Sequence, residues 1–251
     1  MKPTVPILRK TILVSSTLLV LALSALQGTY ADQIVVPNSL ANSEGNSNLL
    51  FTVDTRFQQV FAASQFSALS EPQAIMEIAF RPDGPFGRAS AWTNPNLQMI
   101  LATTSRLPDG LSATFESNLG PDHTVVYSGP ISSSTLNTGP LSGPKAFDIS
   151  IVLMTPFVYD PSAGNLLMDV KSTGPFFGPA DLVADMEETS GDSVSLVAGG
   201  IDEVEGITST LGLAARFTYG PIVIPEPTTM FLLATGLAGL ALSGKRCRNK
   251  S

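Results

Sequence analysis

The distribution of charge limits which part of this chain can fold as a water-exposed domain. All 21 acidic residues lie between Asp32 and Glu226. The 14 bases fall into three groups. Lys2, Arg9 and Lys10 precede one apolar run, and Lys245, Arg246, Arg248 and Lys250 follow another. The other seven lie from Arg56 to Arg216, so seven bases face 21 acids and the middle carries a net charge of −14. Cationic ends beside apolar runs, around an acidic middle, describe a chain whose middle crosses a membrane and whose ends stay behind. The acidic middle excludes nucleic acid as a partner, because phosphate binding needs clustered Lys and Arg.

Each end has its own signature. Residues 12–26 are apolar apart from Ser15, Ser16, Thr17 and Ser24. Fifteen residues are too few for a comfortable membrane span and suit the apolar region of a signal peptide. Thr29 and Ala31 then place small residues at the −3 and −1 positions of a cleavage site. This predicts a signal peptide over residues 1–31, cut after Ala31 by signal peptidase once the Sec translocon has engaged the chain. At the other end, Pro225, Glu226 and Pro227 precede 17 uncharged residues, 228–244. As a helix these reach about 25 Å, one short transmembrane helix. Lys245, Arg246, Arg248 and Lys250 stop transfer and hold the end in the cytoplasm. Pro225 and Pro227 keep the backbone around Glu226 extended. The single cysteine, Cys247, sits among these bases and reads as an incidental cytoplasmic thiol. The middle therefore has no disulfide, and a domain of roughly 190 residues buries enough core to fold without one.

Pro-Glu-Pro, a Leu- and Gly-rich span and a terminal basic cluster together resemble the PEP-CTERM sorting signal. The resemblance covers about the last 29 residues. It implies an exosortase, an integral-membrane transpeptidase-like enzyme, as processing partner in a Gram-negative bacterium. Such genomes also typically make exopolysaccharide. The precursor is then expected in the inner membrane, and the product at the cell surface or in the extracellular matrix.

Between the ends, residues 32–222 show short apolar stretches divided by Gly, Pro, Asn, Asp and Ser. Phe147, Ile149, Ile151 and Leu153 alternate with polar or outward positions, as do Leu211, Leu213, Ala215, Phe217 and Tyr219. Further strands are predicted at 56–60, 76–80, 97–103, 125–131, 166–170 and 194–197. Two-residue periodicity with one wet face means antiparallel sheet. Eight or more such strands predict an all-β, two-sheet, jelly-roll-like sandwich. Pro82-Asp83-Gly84, Pro108-Asp109-Gly110 and residues 160–165 read as turns. Residues 111–118 suit a short helical turn, and the Ser/Gly/Pro-rich stretch 132–144 a loop. Arg56 to Phe61, Ile78 to Arg81, Pro108 to Ser112, Gly143 to Ile149 and Asp160 to Val170 together resemble a recurring group of exported sandwich proteins with PEP-CTERM tails. That group has no assigned activity, so the resemblance supplies no catalytic residues.

The chemistry available to the middle is sparse. His123 is the only histidine. It follows Gly120-Pro121-Asp122 and reads as an exposed turn residue, with no Gly-x-Ser-x-Gly elbow anywhere to make a triad. One histidine and no cysteine in the middle disfavour zinc or copper. Asp181, Asp185, Glu187, Glu188, Asp192, Asp202, Glu203 and Glu205 read as a solvated acidic face. Oxygen-rich loops can hold Ca²⁺, but no Asp-x-Asp-x-Asp-Gly loop occurs. Trp92, the only tryptophan, sits in a stretch that reads as a loop and is either a core plug or a sugar platform. The expected function is non-enzymatic, with no catalytic residues, no metal site and no cofactor: a surface or matrix protein sorted through its tail and associated with exopolysaccharide. The alternative is a secreted carbohydrate-active enzyme, which would need two carboxyls flanking a cleft beside Trp92.

Overall fold

The structure, a computed structural model, describes residues 31–50, 54–174 and 183–222. The expected signal peptide, apart from Ala31, the expected transmembrane helix over 228–244 and the sorting residues lie outside the described residues. The chain divides into two units, Met1–Pro221 and Ile222–Ser251, and every described strand belongs to the first. Among the described residues no helix is long and apolar enough to cross a membrane.

The fold is all-β and antiparallel, as the alternation requires. Thirteen strands are described: β1 (Asp32–Val36), β2 (Ser47–Leu50), β3 (Thr55–Phe61), β4 (Gln73–Phe80), β5 (Ser90–Thr104), β6 (Thr124–Thr135), β7 (Ile149–Tyr159), β8 (Asn165–Thr173), β9 (Val183–Glu188), β10 (Val194–Gly200), β11 (Ile207–Ser209), β12 (Leu211–Leu213) and β13 (Ala215–Gly220). A four-stranded sheet runs β1-β13-β4-β7 and a six-stranded sheet runs β11-β10-β3-β8-β5-β6. A small third sheet, β12-β9-β2, completes the set. The chain passes repeatedly between the two larger sheets, from β3 to β4, β4 to β5, β6 to β7 and β7 to β8. Their facing side chains make one continuous core that includes Phe61, Ile78, Met99, Leu101, Ile151, Leu166 and Phe217.

Irregularities in pairing let residues of opposite parity share that core. Ile75 and Ile78 would face opposite ways on a regular strand. The register of β4 against β7 shifts between Ile75 and Glu77, and both isoleucines are buried. In β5 the register against β6 shifts between Asn94 and Leu97. Pro95 occupies that shift, where its missing N–H costs the ladder nothing. The effect is that Asn94 and Leu97, again of opposite parity, both point inward.

One end of the sandwich is filled by aromatic rings. Phe61 meets Phe217 edge-on at 5.0 Å, Phe66 meets Tyr159 at 5.0 Å, and Phe66 meets Phe217 at 5.4 Å. Each such pair adds about 0.5–1.5 kcal/mol to the burial of its area. On the outer face of the six-stranded sheet, residues 105–123 cover a smaller cluster of Val60, Ala102 and Leu167. This segment contains the predicted helical turn, a 3₁₀ turn at Phe115–Asn118.

Four local expectations differ from the structure. Leu211 to Tyr219 is two strands, broken at Ala214, because β12 pairs β9 while β13 pairs β1 and β4. Phe147 lies outside β7, its ring beneath the guanidinium groups of Arg81 at 4.8 Å and Arg216 at 5.8 Å. Residues 132–135 belong to β6, and Trp92 lies in β5 opposite Ser133. In the turn at 107–110 the positive φ of 59° falls on Asp109, with the Gly110 N–H donating to the Leu107 carbonyl at 2.9 Å.

Candidate functional site

The end of the sandwich opposite the aromatic cluster is hollow. Large apolar side chains line it together with a few small ones, Thr55 at the start of β3, Ser172 near the end of β8, Ala198 on β10 and Ser209 on β11. The cavity has a volume of about 390 Å³. Its floor comes from both large sheets, with Phe80 and Ile149 on one side and Met99 and Val170 on the other. Trp92, Phe57 and Leu211 are half-buried at its edge, and Ile207, 82 % exposed, carries it to the surface. No charged residue is among those described in the lining. The polar groups there are Thr55, Asn94, Ser172 and Ser209, and the Asn94 amide donates to the Ser172 hydroxyl at 2.7 Å. Trp92 thus lies beside a cleft, and the two carboxyls that glycoside hydrolysis needs are not among its described lining residues. Sequence reasoning missed the cavity, because no run of residues marks it; its lining is drawn from many separate strands.

The carboxylates gather elsewhere. Glu44, Asp83 and Asp185 bring oxygens within 4.8 Å of one another. Asp185 was expected on a solvated face, yet it is buried on β9. Its partner Arg81 is buried too, and the Arg81 Nε donates to Asp185 Oδ2 at 2.7 Å. The Gly45 N–H donates to the other oxygen at 2.9 Å. That approach requires glycine: a Cβ on Gly45 would lie 2.0 Å from the Met186 carbonyl oxygen. Arg81 also donates to the Leu40 carbonyl at 3.0 Å, so one guanidinium ties β4 to β9 and to the segment after β1. Burial pushes the Asp185 carboxyl up to about 6, against the pull of Arg81. Burial raises Asp83 as well, against Lys145. Calcium takes six to eight oxygens. Here both oxygens of Asp185 are already hydrogen-bonded, one oxygen of Asp83 accepts the Phe86 N–H, and one of Glu44 accepts the Gly84 N–H. The residues that could hold a cation are these three, and their first duty is to one another's neighbours. Asp202, Glu203 and Glu205 are exposed as expected, and Asp181 lies outside the described residues.

A second buried charge network holds the covering segment to the six-stranded sheet. Arg56 donates to both oxygens of Asp169, at 3.1 and 2.6 Å, and to Glu116 at 2.9 Å. Gln58 donates to Asp169 at 2.9 Å and accepts from Asn118 at 2.9 Å. His123 takes no part. Its Nδ1 lies 3.0 Å from the Gly120 carbonyl, and the neighbouring Asp122 accepts the Thr103 N–H at 2.9 Å instead of orienting the ring. Ala31 is exposed and Asp32 opens β1, so a cut between them would leave that strand whole.

No curated protein matches the chain. Residues 223–246 match the family model of the PEP-CTERM protein-sorting motif. The chain carries a PEP-CTERM sorting motif. It is therefore an exported protein of the exosortase-sorted kind, directed to membrane-associated sorting in Gram-negative bacteria. The PEP-CTERM match takes in Pro225, Glu226 and Pro227, the apolar span, and the first two bases, Lys245 and Arg246. Arg248 and Lys250 follow it. All of these residues lie outside the described ones, and the PEP-CTERM motif begins directly after the last described residue, Ile222.

Proposed function

We propose that this chain is a non-enzymatic surface or matrix protein, whose β-sandwich is displayed after its PEP-CTERM tail has been processed, in contact with exopolysaccharide. The Sec translocon exports it, signal peptidase cuts after Ala31, and the apolar span 228–244 holds the precursor in the inner membrane until an exosortase acts near Glu226. The supporting observation is the pairing of a sorting motif at 223–246 with a sandwich whose cleft has no charged residue among its described lining. General acid–base or nucleophilic chemistry needs a titratable group facing the substrate. A carbohydrate-active enzyme would need two carboxyls across that cleft, and the clustered carboxylates Glu44, Asp83 and Asp185 serve Arg81 and backbone N–H groups instead. The protein works without a cofactor in this reading.

The test is mass spectrometry of the exported protein's C-terminus, with a glycan array probed by the same protein. An end near Glu226 together with exopolysaccharide binding supports the proposal. Surface-exposed protein with an intact Ser251 overturns the sorting step, and turnover of a glycoside overturns the non-enzymatic reading.

A further inference from the structure

We propose that the hollow end of the sandwich binds the chain of a neutral lipid, an alkyl chain ending in an uncharged hydroxyl or ester. Protein interiors are close-packed, and voids larger than a water molecule are few. A cavity of about 390 Å³ between two sheets is outside that norm and within the size range of small-molecule sites. The same two sheets close tightly around Phe61, Phe66, Tyr159 and Phe217 at the other end. The emptiness is therefore local, and Thr55, Ser172, Ala198 and Ser209 are the small side chains among its otherwise mainly apolar lining.

The lining selects the ligand. Buried apolar groups on both sheets, such as Met99, Ile149 and Val170, offer a surface only hydrocarbon satisfies. A sugar would leave its hydroxyls facing these groups without hydrogen bonds, which is costly. A carboxylate or phosphate head would find no described cation in the lining. The polar rim suits a neutral head. Asn94 is buried and donates to Ser172, whose hydroxyl keeps its own proton to donate to a ligand oxygen. Half-buried Trp92 and Phe57 give the chain flat apolar walls where it enters. This inference does not depend on the sorting step or on exopolysaccharide.

Trp92 is the chain's only tryptophan, so its fluorescence reports on this site alone. The experiment titrates the full chain, held in amphipol, with dodecanol brominated beside its hydroxyl end, since bromine quenches tryptophan on contact. Saturable quenching that unlabelled dodecanol reverses is expected. Ala198→Phe, which fills the cavity from the half-buried part of β10, should weaken binding by roughly tenfold or more. Ile207→Asp changes a side chain that is 82 % exposed and should weaken it several-fold by placing a charge at the mouth. Brominated dodecanoate should bind more weakly than the alcohol. Quenching that is linear and identical in wild type and both variants means surface collision and overturns the proposal. Equal affinity for the carboxylate overturns the assignment of a neutral head.

Discussion

Gln59 pairs with Leu213 as one strand pairs with another: its Nε2 donates to the Leu213 carbonyl at 2.9 Å and its Oε1 accepts the Leu213 N–H at 2.8 Å. Gln59 belongs to β3 of the six-stranded sheet, and Leu213 to β12 of the small sheet. A buried side-chain amide thus supplies the donor and acceptor that β12 would otherwise take from a neighbouring strand. Both groups of Leu213 are far from water, so leaving them unpaired carries the full desolvation penalty.

Gln59→Leu keeps the approximate volume and removes both bonds. We expect it to destabilise the exported domain by about 2–4 kcal/mol, measured as a shift in the urea unfolding midpoint at constant slope. Gln59→Glu keeps the acceptor and loses the donor, and should also destabilise. A change below about 1 kcal/mol in Gln59→Leu would mean that β12 is held by other contacts.

This bond also shows where sequence reading stops. The alternation of Ile149, Ile151 and Leu153 is visible because β7 keeps one wet face, whereas residues 56–60 and 166–170 are buried on nearly every side, the outer face lying beneath residues 105–123. Two buried networks are not visible in that way. Arg81 and Asp185 stand 104 residues apart, and nothing local marks either as a buried partner. Asp185 reads as one acid among many until β9 is placed against Arg81. The break at Ala214 is equally silent, because Leu213 and Ala215 keep the parity of a single strand while the partners change. Trp92 and Ser133 read as loop residues because serine-rich segments do, yet they pair across β5 and β6. The charge segregation and the PEP-CTERM tail were legible because both are written in consecutive residues. The cavity was not, since residues far apart in sequence, from β3, β4, β5, β7, β8, β10, β11 and β12, line it jointly.

The buried carboxyl of Asp185 predicts a distinctive pH dependence. Burial raises it from 3.8 to about 6, with the Glu44 charge adding to the rise and Arg81 and the Gly45 N–H opposing it. Between these values the native state holds a proton that the unfolded chain has released. Stability from this group is therefore greatest below about pH 4 and is lost as pH rises through about 6. Asp185→Asn removes the titration. The stability of wild type relative to Asp185→Asn should grow by on the order of 2 kcal/mol as pH falls from 7 to 4, measured by denaturant unfolding in EDTA. A gap that stays flat, or shrinks on acidification, would show that the Arg81 pair keeps Asp185 ionised throughout. Repeating the pH 7 measurement with millimolar calcium should leave stability unchanged; a marked increase would assign a cation to Glu44, Asp83 and Asp185.

The sorting tail yields a prediction in which its three parts fail differently. On the proposed route a membrane protease acts near Glu226 and needs an extended backbone in its cleft, which Pro225 and Pro227 would favour. In that proposal the uncharged span 228–244 would set the depth of the cleavage segment, and Lys245, Arg246, Arg248 and Lys250 would prevent it from sliding outward. Pro225→Ala with Pro227→Ala would leave the proposed anchor intact and remove the proposed extended segment, so uncut precursor should accumulate in the inner membrane. Arg246→Asp with Arg248→Asp leaves the cleavage segment intact and weakens the stop, so precursor should appear mis-sorted with its tail uncut. Glu226→Gln keeps both prolines and the anchor and asks whether the charge itself is read. Immunoblots of inner-membrane and surface fractions separate these outcomes. If the double proline variant is cut and displayed at the wild-type rate, the extended stalk is not what the exosortase recognises, and the role assigned to Pro225 and Pro227 falls with it.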